Sequence, residues 1–219
     1  MLTLAILIPL LASLILAFVP IGEVASRWTA TGAAALSLVA LVIVWAGGGD
    51  GFRAVAEVPW IPTLGIAWRV GVDGMSLAVS LMSGLLFLCS IAWPAETKGR
   101  ARQYYGWFLF LQGVSLGVFV AADLILFFVF FDLSIVGMYF VIAGWGHGNA
   151  ARSALKFFLY TFLGSLALLL GFIGLYVAAA PHTFDIPELV AAAPLAGDPL
   201  TGGPVLAAIL VGLAVKTPT

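Results

Sequence analysis

Long, unbroken runs of apolar residues alternate with short polar segments along the whole chain. The runs cover residues 2–19, 28–46, 75–94, 104–121, 124–144 and 154–179, and a last run starts at residue 204. A helix needs about 20 mostly apolar residues to cross a bilayer, whereas the strands of a membrane barrel alternate apolar and polar positions. The continuous runs therefore predict an all-α polytopic membrane protein.

The composition supports this prediction and excludes several other classes. Hydrophobic residues make up 63% of the 219 residues and charged residues only 9%, against about 45–50% and about 25% in soluble domains. So few charges cannot cover the surface of a soluble fold. Nine Lys and Arg against ten Asp and Glu leave no basic stripe for nucleic acid. The single Cys89 excludes a disulfide framework and a Cys-based zinc site.

The two longest polar linkers carry local structure of their own. Segment 52–72 contains many apolar residues together with Pro59 and Pro62, and it predicts a short hairpin or an interfacial segment. In the 180–203 linker, Thr183 or Asp185 can cap a short helix that runs through Ala193.

The distribution of Lys and Arg between the linkers predicts the orientation in the membrane. With strictly alternating spans, one side receives five cations and the other receives two, Arg53 and Arg69. The five are Arg27, Lys98, Arg100, Arg102 and Arg152. The positive-inside rule makes the first side cytoplasmic. The N-terminus and the 47–73 and 180–203 linkers are therefore expected outside, and 95–103 and 145–153 inside.

The first and last runs each leave an alternative. The first could be a signal peptide, but no Lys or Arg precedes it, and a retained helix is favoured. The last has sixteen residues from Pro204 to Thr219. As a helix it would be roughly 24 Å long, whereas the hydrocarbon core of a bilayer is about 30 Å thick. We expect that this helix is broken at Pro218 and that the chain is a piece of a longer one.

Two charges lie deep inside the predicted spans. Asp132 stands among apolar residues in the 124–144 span, and Lys216 lies far along the last span. Each would cost roughly 3 kcal/mol or more if it faced lipid. Their similar depth predicts that they pair. Such a pair can be a static helix clamp or a titratable site in an ion path. The ion path is the favoured interpretation, because movement of Asp132 towards or away from Lys216 would change the proton affinity of the lysine.

Other polar residues have simpler interpretations. Asp73 and Asp123 are expected to cap the helices that follow them. Lys156 lies about one turn inside its helix, where snorkelling to the interface accounts for it only in part. No redox cofactor or metal site is apparent, because His147 and His182 lie in linkers on opposite sides. The small-residue segment 113–117 is expected to pack one helix on another.

Four motifs resemble the antiporter-like membrane subunits of respiratory complex I, and most closely the subunit M (chain 4) family of NADH-quinone oxidoreductase. They are segment 71–76, which is similar to the start of the third helix; 130–140, similar to the fifth; 154–161, similar to the sixth; and 214–218, similar to the seventh at its break. The motifs occur in family order and cover most of the chain.

The resemblance implies an inverted-repeat fold of about fourteen helices, of which this chain would hold six and the first half of a broken seventh. Residues 1–103 would be helices one to three, with the linker at 47–73, and residues 104–219 an incomplete first repeat. By resemblance, Asp132 stands where the family has a glutamate, and Lys216 and Lys156 stand at the lysines of the seventh and sixth helices. Aspartate has one methylene group fewer than glutamate, so the carboxyl of Asp132 reaches roughly 1.5 Å less far from the helix.

The resemblance implies a proton-translocating, non-redox subunit of NADH-quinone oxidoreductase, with Asp132, Lys216 and Lys156 in the proton path and no cofactor of its own. Its partners would be other membrane subunits of complex I, the lipid bilayer and protons. Its location would be the bacterial inner membrane, with the N-terminus outside. Two alternatives remain open: a D-type subunit of a multisubunit sodium/proton antiporter or a hydrogenase-linked homologue, and a structural subunit with a static ion pair.

Overall fold

The computed structural model describes residues 1–49 and 51–217, and within them eight α-helices and one β-hairpin follow one another. The helices are α1 (Leu2–Phe18), α2 (Glu23–Ala46), α3 (Gly74–Ala92), α4 (Ala101–Val120), α5 (Leu124–Trp145), α6 (Ala150–Ala178), α7 (Ile186–Ala192) and α8 (Pro199–Lys216). Strands β1 (Arg53–Ile61) and β2 (Ile66–Val72) lie between α2 and α3.

Seven of the described helices correspond to the seven apolar runs. By length and composition, α2, α3, α5, α6 and α8 can cross a membrane. Helix α1 is apolar but has 17 residues. Helix α4 contacts α1, α2, α3 and α5, so its polar Gln112 and its glycines face other helices rather than lipid. The prediction of an all-α polytopic membrane protein is confirmed.

The last helix starts earlier than its apolar run. It begins at Pro199 rather than at residue 204, because the Asp198 carboxylate accepts from the N–H groups of Leu200 and Thr201 and caps the helix there. Pro204 is accommodated inside the helix. The helix ends at Lys216, and Thr217 is extended, with φ −86° and ψ 124°. The expected break at Pro218 concerns a residue outside the described range.

One end of the helix bundle, named here the hairpin face, carries the hairpin, the α4–α5 turn and the segment before α7. The strands are antiparallel, with Glu57 opposite Arg69. The N–H of Ala122 donates to the Arg69 oxygen at 2.9 Å, and the N–H of Ile186 donates to the Ala122 oxygen at 3.0 Å. Segments separated by more than 100 residues are thus joined through their main chains. The predicted hairpin in 52–72 is confirmed.

The other end of the bundle, the opposite face, joins the α3–α4 and α5–α6 connections. The indole N–H of Trp145 donates to the Thr97 oxygen at 2.9 Å. The Arg100 guanidinium donates to the Gly144 oxygen at 2.6 Å and lies 4.7 Å from the centre of the Trp145 ring. The two connections lie at the same end, as alternating spans predict. Which end faces the cytoplasm stays a prediction from the Lys and Arg distribution.

Glycines allow the close helix contacts that fix the positions of α5, α6 and α8. Gly117 of α4 lies under the ring of Phe130 of α5, and Gly113 lies under Leu10 of α1. The small residues of 113–117 therefore pack helix on helix within the chain. Between α6 and α8, Gly212 lies against Leu168 and against the main-chain oxygen of Gly164. A side chain in place of Gly212 of α8 or Gly164 of α6 would push the two helices apart.

Candidate functional site

The ammonium group of Lys216 lies at the centre of a small polar site between α5 and α8. Its Nζ donates to the main-chain oxygen of Phe131 at 2.9 Å and to the hydroxyl oxygen of Ser134. It also lies 3.7 Å from the centre of the Phe131 ring, in a cation–π arrangement. The lysine side chain is half-buried. Oxygen atoms and an aromatic face therefore solvate a cation that lies among apolar helices.

Asp132 belongs to the same site but does not pair directly with Lys216. The described residues hold salt bridges at Arg69 only. The Asp132 carboxyl lies near Ser165 of α6 and within electrostatic range of Lys216. Its Oδ1 is buried and has no hydrogen-bond partner among the described residues. The structure thus places the Asp132 carboxyl and the Lys216 ammonium group in one site, without a salt bridge between them among the described residues.

The local sequence of α5 creates this arrangement. The hydroxyl of Ser134 donates to the Phe131 oxygen at 2.7 Å, so that this oxygen accepts from both Ser134 and Lys216. Ser134 is one helical turn from Phe131, on the same face of α5. Asp132 follows Phe131 directly, and its side chain therefore leaves the helix in a different direction, towards α6.

The packing of α6 against α8 positions Lys216 next to α5. Gly212 lies one turn before Lys216 on α8, and its contact with Leu168 draws the end of α8 close to α6. Val215 of α8 packs on Gly164 of α6. Helix α8 makes its main contact with α6 and otherwise presents an exposed surface. The position of the ammonium group therefore depends on small residues of α6 as well as on α5.

Lys156 is not part of this site. It lies exposed in the second turn of α6, and it makes no polar side-chain contact within 1–49 and 51–217. Nine residues separate it from Ser165, which corresponds to roughly 13 Å along the helix axis. The third predicted site residue thus lies towards the opposite face, away from Asp132 and Lys216.

Three groups of this site were missed by reasoning from the sequence: Ser134, Ser165 and the main-chain oxygen of Phe131. Both serines are buried. Polar residues at matching depth in apolar spans are a usable signal of such a site, because polar side chains in membrane helices face other helices of the bundle. A main-chain oxygen that accepts from a distant lysine leaves no trace in the sequence.

A second charged cluster, the Arg69 cluster, occupies the hairpin face. The Arg69 guanidinium forms salt bridges to Glu57 at 2.6 Å and to Asp185 at 2.7 Å. The Asp123 carboxylate lies close enough for its charge to act on Arg69. Arg69 and Asp185 are only 14% and 10% exposed in their side chains, and Asp123 is fully buried. The Arg69 guanidinium therefore interacts with three carboxylates, of which those of Asp123 and Asp185 are buried.

Hydrogen bonds and burial act differently on these carboxylates. The hydrogen bond from Arg69 lowers the pKa of the exposed Glu57. Burial raises the pKa of Asp123, although this carboxylate accepts from the N–H groups of Ile125 and Leu126. These two bonds cap α5, which confirms the capping prediction for Asp123. Asp73 likewise caps α3 by accepting from the Ser76 N–H at 2.7 Å.

The described residues hold no group of three or more His, Cys, Asp and Glu side chains that could bind a metal ion. His182 lies at the hairpin face, where its Nδ1 is 2.9 Å from the Tyr176 oxygen. His147 lies in the α5–α6 connection at the other end. Chemically, the site around Lys216 can hold and release a proton on an amine, next to a carboxyl with an unused oxygen.

The sequence and the fold both match known membrane proteins. Residues 121–219, which include α5 to α8 and the Lys216 site, match the family described as NADH:quinone oxidoreductase/Mrp antiporter, transmembrane region. The F(420)H(2) dehydrogenase subunit M of Methanosarcina mazei is 37% identical over 168 residues, which cover 74% of this chain and 34% of that protein.

Two further relatives extend the match over nearly the whole chain. The NADH-quinone oxidoreductase subunit M of Rhodobacter capsulatus is 33% identical over 231 aligned residues, covering 96% of this chain and 44% of that protein. A chain of respiratory complex I from Thermus thermophilus superposes with a TM-score of 0.85 at 26% identity, covering 100% of this chain and 44% of that one. The chain thus spans less than half the length of these relatives.

Proposed function

The chain belongs to the family of antiporter-like membrane subunits that includes NADH-quinone oxidoreductase subunit M, and we propose that it is a non-redox, proton-translocating subunit of such an oxidoreductase. Its partners are then the other membrane subunits of that complex. The chain spans only about 34% to 44% of the length of these relatives. The proposed activity is therefore that of the whole protein and not of this chain alone. We place it in a bacterial inner membrane, with the hairpin face and the N-terminus outside.

The placement of Lys216 is the observation that carries this proposal. A lysine deep in the bilayer requires stabilising partners, and the cation has three of them in Phe131 and Ser134. A static helix clamp would be expected to join Lys216 directly to Asp132. The carboxylate instead keeps one buried oxygen without a partner, which supports a site whose contacts change during a cycle.

Ser134 supports both protonation states of the lysine. A hydroxyl can accept from an ammonium group and can donate to a neutral amine, because it carries one proton and two lone pairs. The Phe131 oxygen accepts in either case. A proton can therefore leave Lys216 without leaving its partners unpaired, and movement of the nearby Asp132 carboxylate changes how strongly the protonated form is held.

Lys156 is the proposed next group along the path. It lies towards the opposite face, roughly 13 Å along α6 from Ser165, too far for direct transfer. Water or a side chain would have to connect it with Lys216. Thr161, a buried residue of α6, lies between these depths, and its hydroxyl donates to the Phe157 oxygen at 2.7 Å.

The test of the proposal is proton pumping by variants of the full-length protein in its complex, reconstituted in vesicles. Lys216→Ala should largely abolish pumping. Lys216→Arg should retain little, because arginine stays protonated in almost any environment. Lys98→Arg is the matched control, since Lys98 lies exposed and, in the part of the chain that the structure describes, bonds only main-chain oxygens of Trp145 and Gly146. Normal pumping by Lys216→Arg, at equal assembly, would show that the residue is a fixed counter-charge.

A sodium/proton antiporter subunit is the second candidate, since the family description names the Mrp antiporter beside NADH:quinone oxidoreductase. Both functions use the same lysine site, so variants of Lys216 do not separate them. Vesicles that exchange sodium for protons without any electron donor would identify the antiporter. Proton uptake that depends on an electron donor and a quinone would identify the oxidoreductase subunit.

A further inference from the structure

A groove between α1, α4 and α5 combines an apolar body with a cationic end. The groove has a volume of about 550 Å³, within the range of about 300–1,000 Å³ for small-molecule sites. Its body is lined by Trp107 and Phe110 of α4 and by Phe140 of α5. Leu14 and Ala17 of α1 form its exposed edge. Arg102 and Gln103 line its end near the opposite face.

Arg102 differs from its neighbour Arg100 in that its side chain has no polar partner within residues 1–49 and 51–217. Arg100 donates to the Gly144 oxygen and stacks on Trp145. Arg102 is half-buried, yet among the described residues its side chain forms neither a hydrogen bond nor a salt bridge. A half-buried cation at the rim of an apolar groove calls for an anionic partner.

A second, smaller pocket continues from the same end. It has a volume of about 390 Å³ and shares Arg102 and Gln103 with the groove. Glu23 also lines it, but the Glu23 carboxylate accepts from the Thr97 hydroxyl at 2.8 Å. An apolar groove thus leads to a polar pocket, and Arg102 lies where they meet.

We propose that this groove binds one phospholipid, with its phosphate at Arg102 and an acyl chain on Trp107, Phe110 and Phe140. The charge of the phosphate complements Arg102, and the acyl chain matches the apolar body. From Arg102 to Phe110 the groove follows α4 for eight residues, roughly 12 Å along the helix. The groove lies at the end of the bundle, where head groups meet the hydrocarbon core. The proposal does not depend on the proton path or on the orientation in the membrane.

The test uses a photoreactive residue in place of Ala17 in the full-length protein, inserted in bilayers of phosphatidylethanolamine and phosphatidylglycerol. After detergent extraction and washing, irradiation and mass spectrometry identify what is attached. We expect a phospholipid adduct at position 17. A photoreactive residue at Leu170, which is 67% exposed on α6, is the control and should lose its lipid on washing.

Arg102→Gln should reduce the adduct at position 17 about fivefold, the contribution of one cation near a membrane surface. Arg152→Gln is the matched variant, because Arg152 is exposed at the same end of the bundle and does not line the groove. It should leave the adduct unchanged. An adduct to another protein at position 17, equal lipid retention at positions 17 and 170, or no effect of Arg102→Gln in a protein with wild-type thermal stability would each overturn the proposal.

Discussion

The Lys216 ammonium donates to the main-chain oxygen of Phe131 at 2.9 Å, 85 positions earlier in the chain. The residue that follows Phe131 is Asp132, the carboxylate expected to pair with this lysine. The cation is therefore anchored by a dipole that does not titrate. The titratable carboxylate of Asp132 lies next to this site and forms no salt bridge with the lysine among the described residues.

The first prediction concerns this carboxylate. Asp132→Asn keeps the shape of the side chain and removes its charge. If the acid tunes the proton affinity of Lys216, the variant should lower that affinity and pump poorly. Asp132→Glu should retain or improve activity, because the longer side chain closes roughly 1.5 Å of the distance to the lysine. The measurement is proton pumping, normalised to assembled complex, for both variants.

A purely structural pair predicts a different result for the same two variants. Loss of activity would then track loss of assembled protein, and the normalised pumping rates would stay at the wild-type level. Full normalised activity in Asp132→Asn would falsify the proton-path role of this residue.

The second prediction concerns the Arg69 cluster. Arg69→Gln removes the only salt-bridge partner that Asp185 has among the described residues, and it leaves buried carboxylates without a counter-charge. Breaking such a buried pair costs about 3–5 kcal/mol, so the protein in detergent should unfold at a clearly lower temperature. Arg53→Gln is the control, because Arg53 belongs to the same hairpin and, among the described residues, its side chain donates only to the Gly49 oxygen.

The destabilisation of Arg69→Gln should depend on pH with a definite sign. Burial already raises the pKa of Asp123, and loss of the nearby cation raises it further. A carboxyl with a raised pKa in the folded state binds more protons there than in the unfolded chain, so stability increases as the pH falls through that pKa. The variant should therefore recover part of its stability when the pH is lowered from a neutral to a mildly acidic value. An equal deficit at both pH values would contradict this account.

The third prediction tests the contact between α6 and α8. A methyl group in Gly212→Ala would overlap main-chain atoms of Leu168 and Gly164. The end of α8 must then move away, which weakens the bonds of Lys216 to Phe131 and Ser134. We expect reduced pumping at near-normal assembly. Gly203→Ala, on the same helix with open space around its position, should pump normally; an equal loss in both variants would refute the packing argument.

The fourth prediction concerns topology. In a protein with Cys89 replaced by Ser, an impermeant maleimide added outside intact cells should label Val190→Cys but not Arg152→Cys. Both positions are exposed and lie at opposite ends of the bundle. Labelling of position 152 alone would reverse the orientation that we infer from the Lys and Arg distribution and, with it, the direction of the ion path.

Local features of the sequence predicted much of the fold. The apolar runs correspond to the seven long helices, and Asp73, Asp123 and Asp185 cap the helices that follow them. These features were accessible because they depend on neighbours within one helical turn. The start of α8 was misplaced because the apolar run begins only at residue 204, whereas the Asp198 carboxylate caps a helix that begins at Pro199.

Contacts between distant segments were less accessible. Matching depth predicted that Asp132 and Lys216 pair, whereas the structure places them near each other without a salt bridge among the described residues. Depth alone could not show which atoms bind the ammonium group. That depends on the rotation of α5 and on the approach of α8 to α6. The Arg69 cluster joins residues 57, 69, 123 and 185, and no spacing in the sequence relates them.

The main-chain pairing at the hairpin face also imposes an order on biosynthesis. The chain leaves the ribosome from its N-terminus, and N-terminal parts fold first. Strand β2 is therefore synthesised early, but Ala122 can pair with it only after α4 has been synthesised. The partner of Ala122, Ile186, follows α6. The Arg69–Asp185 salt bridge can therefore form only after the six helices that precede Asp185 in the chain have been synthesised.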